Sequence, residues 1–328
     1  MNKRERVMAA LHGEEVDYVP GCFWRHFPPE ESHGEIFIEK QIQYYRDTDV
    51  DFLKISCDGY FGWPANVLTN LGGTGELYGM KPLGKDHPFI REQIERAAAI
   101  VKELKEECCI FYTVFCPMAC FRLAVGWDKM MECIREDPEA VKYACSVIAE
   151  DVCCLVEGLI SEAGCDGIFY SVQNAEVTRF TYEQYREWVT PSDLRVLNRA
   201  NELGGVNILH CCGWDADAAG TVDRMEVWQD YPSAAVNWAM YVDHLEVNAA
   251  REFFGNRCVW GGFDNRRQGI LYHGTKEEIA AETRRLIGQG GRNGFILGPD
   301  CSLPDDIDLD HIRWVLEESR TARHALMY

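Results

Sequence analysis

Short, continuously apolar runs alternate along the chain with longer segments in which apolar residues recur at helical spacing. The runs predicted as strands are residues 21–24, 51–57, 109–115, 167–171, 206–210, 234–238, 257–260 and 294–297. The segments predicted as helices are residues 2–11, 34–47, 89–107, 126–135, 138–163, 181–203, 275–289 and 305–322. Apolar strands that alternate with helices are typical of a parallel sheet covered by helices, so we predict an α/β fold.

Eight strand-and-helix units indicate a closed barrel. The prediction is a single (β/α)8 TIM barrel with an N-terminal helical extension, formed by residues 1–328 as one domain. Residues 59–87 have no clear period and contain several glycines, so we predict a long loop with short helical pieces. In this fold the active site lies at the carboxyl ends of the strands. Chemically active residues that follow the predicted strands are therefore expected to converge.

One histidine and two cysteines lie at such strand ends. Residues i and i+2 of a strand point to the same side, so His210 and Cys212 are expected to face one point while Cys211 turns away. Cys301 follows the eighth strand. Catalytic zinc sites usually hold three protein ligands and leave one position open, and we predict such a site at His210, Cys212 and Cys301. The alternative is a packing role, because cysteine is among the most often buried residue types and the chain has 15.

Other polar residues are expected at the same rim. Asp58 ends the second strand and is predicted to have a catalytic role, with loop capping as the alternative. Arg25 and His26 end the first strand. They are candidates to bind an anionic end of the substrate, and a solvated loop pair is the competing interpretation.

The fourth and seventh strands end in further candidates for substrate binding. Tyr170 faces either the pocket or the barrel core, and Gln173 and Asn174 either orient a substrate or satisfy the start of the next loop. Asp264 follows a Gly-Gly pair that permits close backbone approach, so a structural role in the turn competes with substrate binding. Glu176 belongs to the same polar cluster as Gln173 and, like Asp58, is predicted to have a catalytic role.

Composition narrows the compartment and the partners. A formal net charge of −20 argues against binding to nucleic acid or to anionic membranes. The apolar stretch near the start is too short, and too quickly followed by polar residues, for a secretory signal. The sequence contains no run of about 18 apolar residues that could span a membrane. An odd number of cysteines without an export signal indicates reduced thiols in a cytoplasmic protein. The sequence leaves open whether the chain forms a homo-oligomer.

The chain resembles the uroporphyrinogen decarboxylase superfamily over nearly its whole length. The residues that carry this resemblance are the opening stretch 3–20, the strand that ends in Asp58, and residues 261–264. Within that superfamily, His210-x-Cys212-Gly213 together with residues 298–301 is similar to the zinc motif of corrinoid-linked methyltransferases, which include enzymes that methylate coenzyme M. True decarboxylases carry an arginine-rich signature after the first strand, whereas residues 24–29 of this chain contain one arginine.

The resemblance implies a zinc-dependent methyltransferase that uses methylcobalamin or another corrinoid carried by a separate protein. The methyl group would pass to a small thiol, or from a methylated small molecule to the corrinoid. His210, Cys212 and Cys301 are implied as zinc ligands, with Glu176 or a water at the fourth position and Asp215 or a backbone carbonyl supporting the imidazole. The alternative is a lyase of the same superfamily, either a decarboxylase of a small acid or a zinc-dependent carbon–sulfur lyase.

Overall fold

The computed structural model describes residues 1–212 and 221–322, and its centre is a parallel β-sheet that curls into a barrel. The strands are β1 Phe52–Ile55, β2 Cys109–Phe115, β3 Gly167–Val172, β4 Ile208–Cys211, β5 Ala235–Trp238, β6 Cys258–Phe263 and β7 Phe295–Pro299. Each strand pairs in parallel with the next one along the chain, in the order β1 to β7. The predicted α/β barrel is confirmed.

An extended segment at residues 20–25 lies between the first and last strands. The Cys22 amide donates to the Leu297 carbonyl, the Leu297 amide donates to the Pro20 carbonyl, and Gly21 forms a parallel bridge with Leu297. On the other side, the Asp51 amide donates to the Gly21 carbonyl at 2.9 Å. The first predicted strand is thus present as an extended segment that bridges β7 and the start of β1. It forms isolated bridges rather than a continuous ladder.

The helices surround the sheet. Those before β3 are α1 Lys3–Leu11, α2 Gly34–Thr48, α3 Asn66–Thr69, α4 Pro88–Leu104, α5 Pro117–Val125, α6 Trp127–Glu136 and α7 Pro138–Glu157. Those after β3 are α8 Tyr182–Trp188, α9 Thr190–Glu202, α10 Met240–Asp243, α11 Val247–Phe253, α12 Ile270–His273, α13 Lys276–Gly290 and α14 Leu309–Thr321. No helix in the described parts of the chain is long and apolar enough to cross a membrane.

Two helical predictions need correction. The segment 181–203 is divided into α8 and α9, because Pro191 lies in the first turn of α9 and favours a new helix start there. The segment 138–163 leaves the α-helical pattern after Glu157 and ends in a π-helical turn, Gly158–Glu162. Helix α5 was not predicted, although Pro117 at its first position is a typical start signal.

Alternation along the strands separates two buried regions. In β1, Phe52 belongs to the cluster inside the barrel, whereas Leu53 and Ile55 pack in the layer between the sheet and the outer helices. Helix α1 packs on the inner cluster through Val7 and Leu11. The inner cluster and α1 together fill the barrel below the carboxyl ends of the strands. The space that remains for a ligand therefore lies at the carboxyl-end rim.

Candidate active site

A cavity of about 310 Å³ opens at this rim, a size suited to a small molecule. Its wall combines aromatic rings with a few polar and sulfur-containing side chains. The lining residues are Trp24, His26, Lys54, Cys57, Phe61, Thr113, Phe115, Arg122, Leu123, Phe169, Ser171, Gln173, His210, Cys212, Cys301 and Ser302. The predicted loop 59–87 contributes Phe61 to this wall.

The three predicted metal ligands meet on one side of the cavity. Cys212 Sγ lies 4.0 Å from Cys301 Sγ, and Cys301 Sγ lies 3.7 Å from His210 Nε2. The ligand atoms of all three residues lie within 4.8 Å of one another. Tetrahedral zinc with ordinary Zn–S and Zn–N bond lengths would separate two sulfurs by about 3.8 Å and a sulfur and a nitrogen by about 3.6 Å. The two measured distances fit a shared zinc ion closely.

Asn237 holds the His210 ring in the orientation that a metal ligand needs. Its amide nitrogen donates to the main-chain carbonyls of Trp260, at 2.7 Å, and Pro299, at 3.0 Å. The amide oxygen therefore faces His210, where it is hydrogen-bonded to Nδ1. Because this oxygen can only accept, the proton of the neutral ring lies on Nδ1 and Nε2 is left free toward the two thiols. The ring also stacks on Phe169 at 4.8 Å between centroids.

The pKa values of Cys301, in the metal-ligand cluster, and of Cys211, on β4, are shifted in opposite directions. The pKa of Cys301 lies well below its usual value, chiefly because a hydrogen bond with Cys212 favours the thiolate and outweighs the opposing effect of burial. Burial raises the pKa of Cys211 well above its usual value. Cys211 points into the helix layer, as alternation along the strand predicts. The surroundings of Cys301 thus favour a thiolate, and those of Cys211 favour a neutral thiol.

Lys54 places an ammonium group in the cavity wall. The residue is 4% exposed, and its Nζ lies 5.2 Å from the ring centroid of Trp24 and 5.1 Å from that of Phe169. Burial lowers its pKa, and no salt bridge to it forms within the described residues. A buried cation above two aromatic faces is suited to bind an acidic group of a ligand.

A hydrogen-bonded chain occupies another part of the wall. His26 Nε2 lies 2.9 Å from Ser302 Oγ, and His26 Nδ1 lies 2.6 Å from Asp58 Oδ1. The second Asp58 oxygen accepts from the Phe27 amide at 2.9 Å and from the Ser56 hydroxyl at 2.6 Å. Burial opposes ionisation of Asp58, but these hydrogen bonds outweigh it and lower the pKa of the carboxyl. Asp58 lies behind His26 and reaches the cavity through it.

Gln173 also lines the cavity, and its side chain is fixed by neighbours. Arg122 from α5 donates to Gln173 Oε1 at 2.6 Å, and Gln173 Nε2 donates to the Ser171 hydroxyl at 3.2 Å. All three residues face the cavity. This polar edge lies in the same cavity as the His210 and Cys301 side.

The remaining candidates from the sequence lie outside the cavity wall. Tyr170 points into the helix layer, where its hydroxyl donates to the Asp193 carbonyl at 3.1 Å. The Arg25 guanidinium donates to the main chain of Asp305. Asp264 forms an ion pair with Arg266 at 2.8 Å.

Two further candidates follow β3. Asn174 is buried, with a left-handed backbone at φ 69°, and it is not among the cavity-lining residues of the described chain. Glu176 is buried and forms an antiparallel bridge with Asp223. Gly213, which belongs to the predicted zinc motif, and Asp215, predicted as a possible support for the imidazole, lie outside the described residues.

Sequence reasoning missed Lys54, Asn237 and Arg122. Lys54 and Asn237 are each a single polar residue within an otherwise apolar strand, and alternation from Phe52 or Ala235 places them inside the barrel. That signal was available in the sequence. Arg122 had no such signal, because helix α5 was not predicted.

Comparisons with known proteins agree with this architecture. The family model described as uroporphyrinogen decarboxylase (URO-D) matches residues 76–322. A solved structure of a methyltransferase from Methanosarcina mazei has a TM-score of 0.75 and 16% sequence identity, covering 98% of both chains. A B12-independent methionine synthase from Shewanella sp. W3-18-1 has a TM-score of 0.46 and 14% identity, covering 71% of this chain and 67% of its own. The comparison with curated proteins gives no match. At 16% identity, the likeness to the methyltransferase structure establishes the fold.

Proposed function

Since the chain belongs to the uroporphyrinogen decarboxylase family, we propose that it is a zinc-dependent methyltransferase working with a corrinoid bound to a separate protein. The methyl group passes between that corrinoid and either a small thiol or a methylated small molecule. The observation that carries the proposal is the convergence of His210, Cys212 and Cys301 at an open cavity. The methyltransferase from Methanosarcina mazei shares the fold and is compatible with this activity.

The donor set favours zinc among biological metals. Two thiolates and one imidazole are soft and borderline ligands, and three protein ligands leave a position for a substrate sulfur. A zinc ion held there lowers the pKa of a bound thiol, so that the sulfur is nucleophilic at neutral pH. We propose a water as the fourth ligand when no substrate is present, since Glu176, the other candidate from the sequence, is not among the described residues whose ligand atoms converge there. Asn237 keeps His210 Nε2 directed toward the thiols.

The other cavity residues bind and orient the substrate. The rings of Trp24, Phe61 and Phe169 enclose its apolar part and limit the access of water. Lys54 attracts an acidic group on the substrate, because its ammonium is buried beside these rings without a salt bridge from the described residues. Gln173 offers a fixed amide to a polar group.

For a thiol acceptor, the reaction releases one proton and breaks one carbon–cobalt bond. The sulfur uses its electron pair to form the carbon–sulfur bond, and the pair of the carbon–cobalt bond stays with cobalt. In this proposal the corrinoid is carried by a partner protein that docks over the open rim. The acidic chain, with a net charge of −20, would favour a basic patch on that partner.

One assay distinguishes methyl transfer from the lyase alternative. Purified protein is incubated without oxygen with methylcobalamin and 2-mercaptoethanol, and the corrinoid spectrum and the S-methyl product are followed. The proposal predicts methyl transfer that a chelator abolishes and that zinc restores. Methyl transfer that proceeds equally well without metal contradicts the zinc dependence. Zinc-dependent release of sulfide from the thiol, without any need for corrinoid, contradicts methyl transfer and supports a lyase.

A further inference from the structure

The hydrogen-bonded chain of Ser302, His26 and Asp58 has no role in holding the metal. His26 and Ser302 line the cavity, and Ser302 is the next residue after the proposed ligand Cys301. The His26 side chain is 50% exposed, whereas that of Asp58 is 2% exposed. The chain therefore connects the metal side of the cavity to solvent, with a buried carboxylate at its back.

The direction of each hydrogen bond follows from the donors available. Asp58 is ionised and accepts at both oxygens, so His26 Nδ1 must carry the proton that it shares with Asp58. In the neutral ring Nε2 is then an acceptor. Trp24 Nε1 donates to Ser302 Oγ at 3.0 Å, so the Ser302 hydroxyl keeps its own hydrogen for His26 Nε2. The Nε2 lone pair of the imidazole thus accepts from Ser302 at the cavity wall.

We propose that His26 is the proton acceptor of the reaction and that Ser302 and Asp58 form its relay. This inference rests on the proposed function in one respect, namely that a substrate thiol loses its proton in the cavity. That proton passes to Ser302 Oγ while the hydroxyl hydrogen of Ser302 moves to His26 Nε2. The imidazolium is stabilised by the Asp58 carboxylate and releases the proton to solvent from its exposed edge. No group is oxidised or reduced in this step.

The same three residue types also form the nucleophilic triads of hydrolases, so that alternative must be weighed. In this cavity the bond from Trp24 Nε1 occupies one lone pair of Ser302 Oγ, which weakens the oxygen as a nucleophile. The geometry therefore favours proton transfer over acyl transfer at Ser302.

The first test uses the metal-free protein and reads the state of the imidazole. Nitrogen-15 NMR of ring-labelled histidine, assigned with His26→Gln, distinguishes a protonated ring nitrogen from an accepting one. The proposal predicts that neutral His26 carries its proton on Nδ1 and accepts at Nε2. A proton on Nε2 of the neutral ring would overturn the relay whatever the metal content.

The second test measures deprotonation itself. Protein loaded with Co(II) is mixed with 2-mercaptoethanol in a stopped-flow instrument, and the thiolate-to-cobalt absorption band is followed. We expect His26→Gln to slow the appearance of the band about 100-fold, as loss of a general base does, with an equilibrium thiol affinity within about threefold of wild type. Added imidazole should restore much of the rate. His12→Gln, an exposed histidine after α1, is the matched control and should behave as wild type.

The outcomes separate this inference from the proposed function. A normal cobalt band whose rate is unchanged in both His26→Gln and Ser302→Ala contradicts the relay and leaves the metal site intact. Absence of the band in wild type contradicts the proposed function, and the NMR result then decides the relay geometry alone. Covalent labelling of Ser302 by a fluorophosphonate would favour the nucleophilic triad and overturn the proposal. Slowing with imidazole rescue supports it, because a purely structural role of His26 would not be rescued.

Discussion

The pKa of a cysteine is shifted in opposite directions in two buried regions of this protein. One is the cluster of His210, Cys212 and Cys301, and the other is the layer between the sheet and the helices. In the cluster, hydrogen bonds lower the pKa of Cys301 and favour its thiolate. In the layer between sheet and helices, burial raises the pKa of Cys211 and Tyr170 well above their usual values, so both stay neutral. Alternation along one strand assigns neighbouring residues to these two regions.

The comparison shows that burial alone does not mark a functional residue. Cys211 and Cys212 are adjacent and both are buried, yet only Cys212 has ligand geometry with a second thiol and an imidazole. In the helix layer, the Tyr170 hydroxyl donates to the main-chain carbonyl of Asp193 rather than to a ligand space. Polar side chains in the cavity wall, such as His210 and Gln173, are hydrogen-bonded to neighbours on one side and still line the open space on the other.

The largest expected effect comes from replacing one of two adjacent cysteines by alanine and using the other as the control. Cys212→Ala should lower methyl transfer from methylcobalamin by about 1,000-fold or more, because removing a ligand opens the metal site. Cys211→Ala, the matched control, should stay within about threefold while losing some thermal stability from the small cavity that it creates. Equal losses of activity in the two folded variants would remove the distinction between the two sides of the strand.

A smaller effect is expected from the residue behind His210. Asn237→Leu keeps the volume but removes the acceptor for Nδ1, so zinc affinity should fall by about 10- to 100-fold. Competition with a chromogenic chelator measures the affinity, and circular dichroism shows whether the variant is folded, since two main-chain carbonyls also lose their donor. An unchanged affinity in a folded variant would mean that Asn237 does not orient the ring.

Substitution of Lys54 tests whether a buried charge in the cavity recognises an acidic group of the substrate. Lys54→Met should weaken binding of 3-mercaptopropionate to the cobalt-loaded protein by about 10-fold and that of neutral 2-mercaptoethanol much less, because only the first has an acidic group. Lys81→Met, at an exposed lysine, is the control. Equal effects on both thiols would show that Lys54 contributes packing rather than charge recognition.

The smallest effect on the metal site is expected in the helix layer, where a buried carboxyl changes the stability of the protein instead. Burial raises the pKa of Asp193 from 3.8 to about 8, despite hydrogen bonds from Tyr231 and Tyr185. The folded protein then keeps this proton between about pH 4 and 8, where the unfolded chain has lost it. The contribution of Asp193 to the unfolding free energy therefore falls as pH rises through that window, by about 1 kcal/mol per pH unit.

Asp193→Asn removes this titration and is the variant to compare. Urea unfolding between pH 5 and 8 should show that the variant gains stability relative to wild type as pH rises. Parallel pH profiles for the two proteins would mean that Asp193 is ionised in the folded state. Zinc binding should be the same in both, because Asp193 lies outside the cavity.

Much of the fold was predictable from the apolar runs, and the reason is periodicity. Strands such as β2 and β7 are continuously apolar, and helices such as α13 begin with a capping box, so local patterns define them well. The extended segment at residues 20–25 was predicted as an ordinary strand. Its partial pairing depends on contacts with β7 and Asp51 that no local pattern encodes.

The convergence of His210, Cys212 and Cys301 was also predictable, because the barrel brings strand ends together. The details around them were not. The sequence did not decide whether Tyr170 faces the pocket or the barrel core, and the structure places it in the helix layer. The partnership of His26 with Asp58 and Ser302 depends on three segments far apart in the chain. Only the folded structure supplies such side-chain contacts.

The central claim, a metal held by His210, Cys212 and Cys301, is tested most directly by metal content. Plasma mass spectrometry of protein purified without chelators would be run on wild type, on Cys212→Ser and Cys301→Ser, and on Cys211→Ser as the control. The proposal predicts about one zinc per chain in wild type and in Cys211→Ser, and close to none in the other two. A folded wild-type protein that carries no metal and takes up no added zinc would contradict the claim.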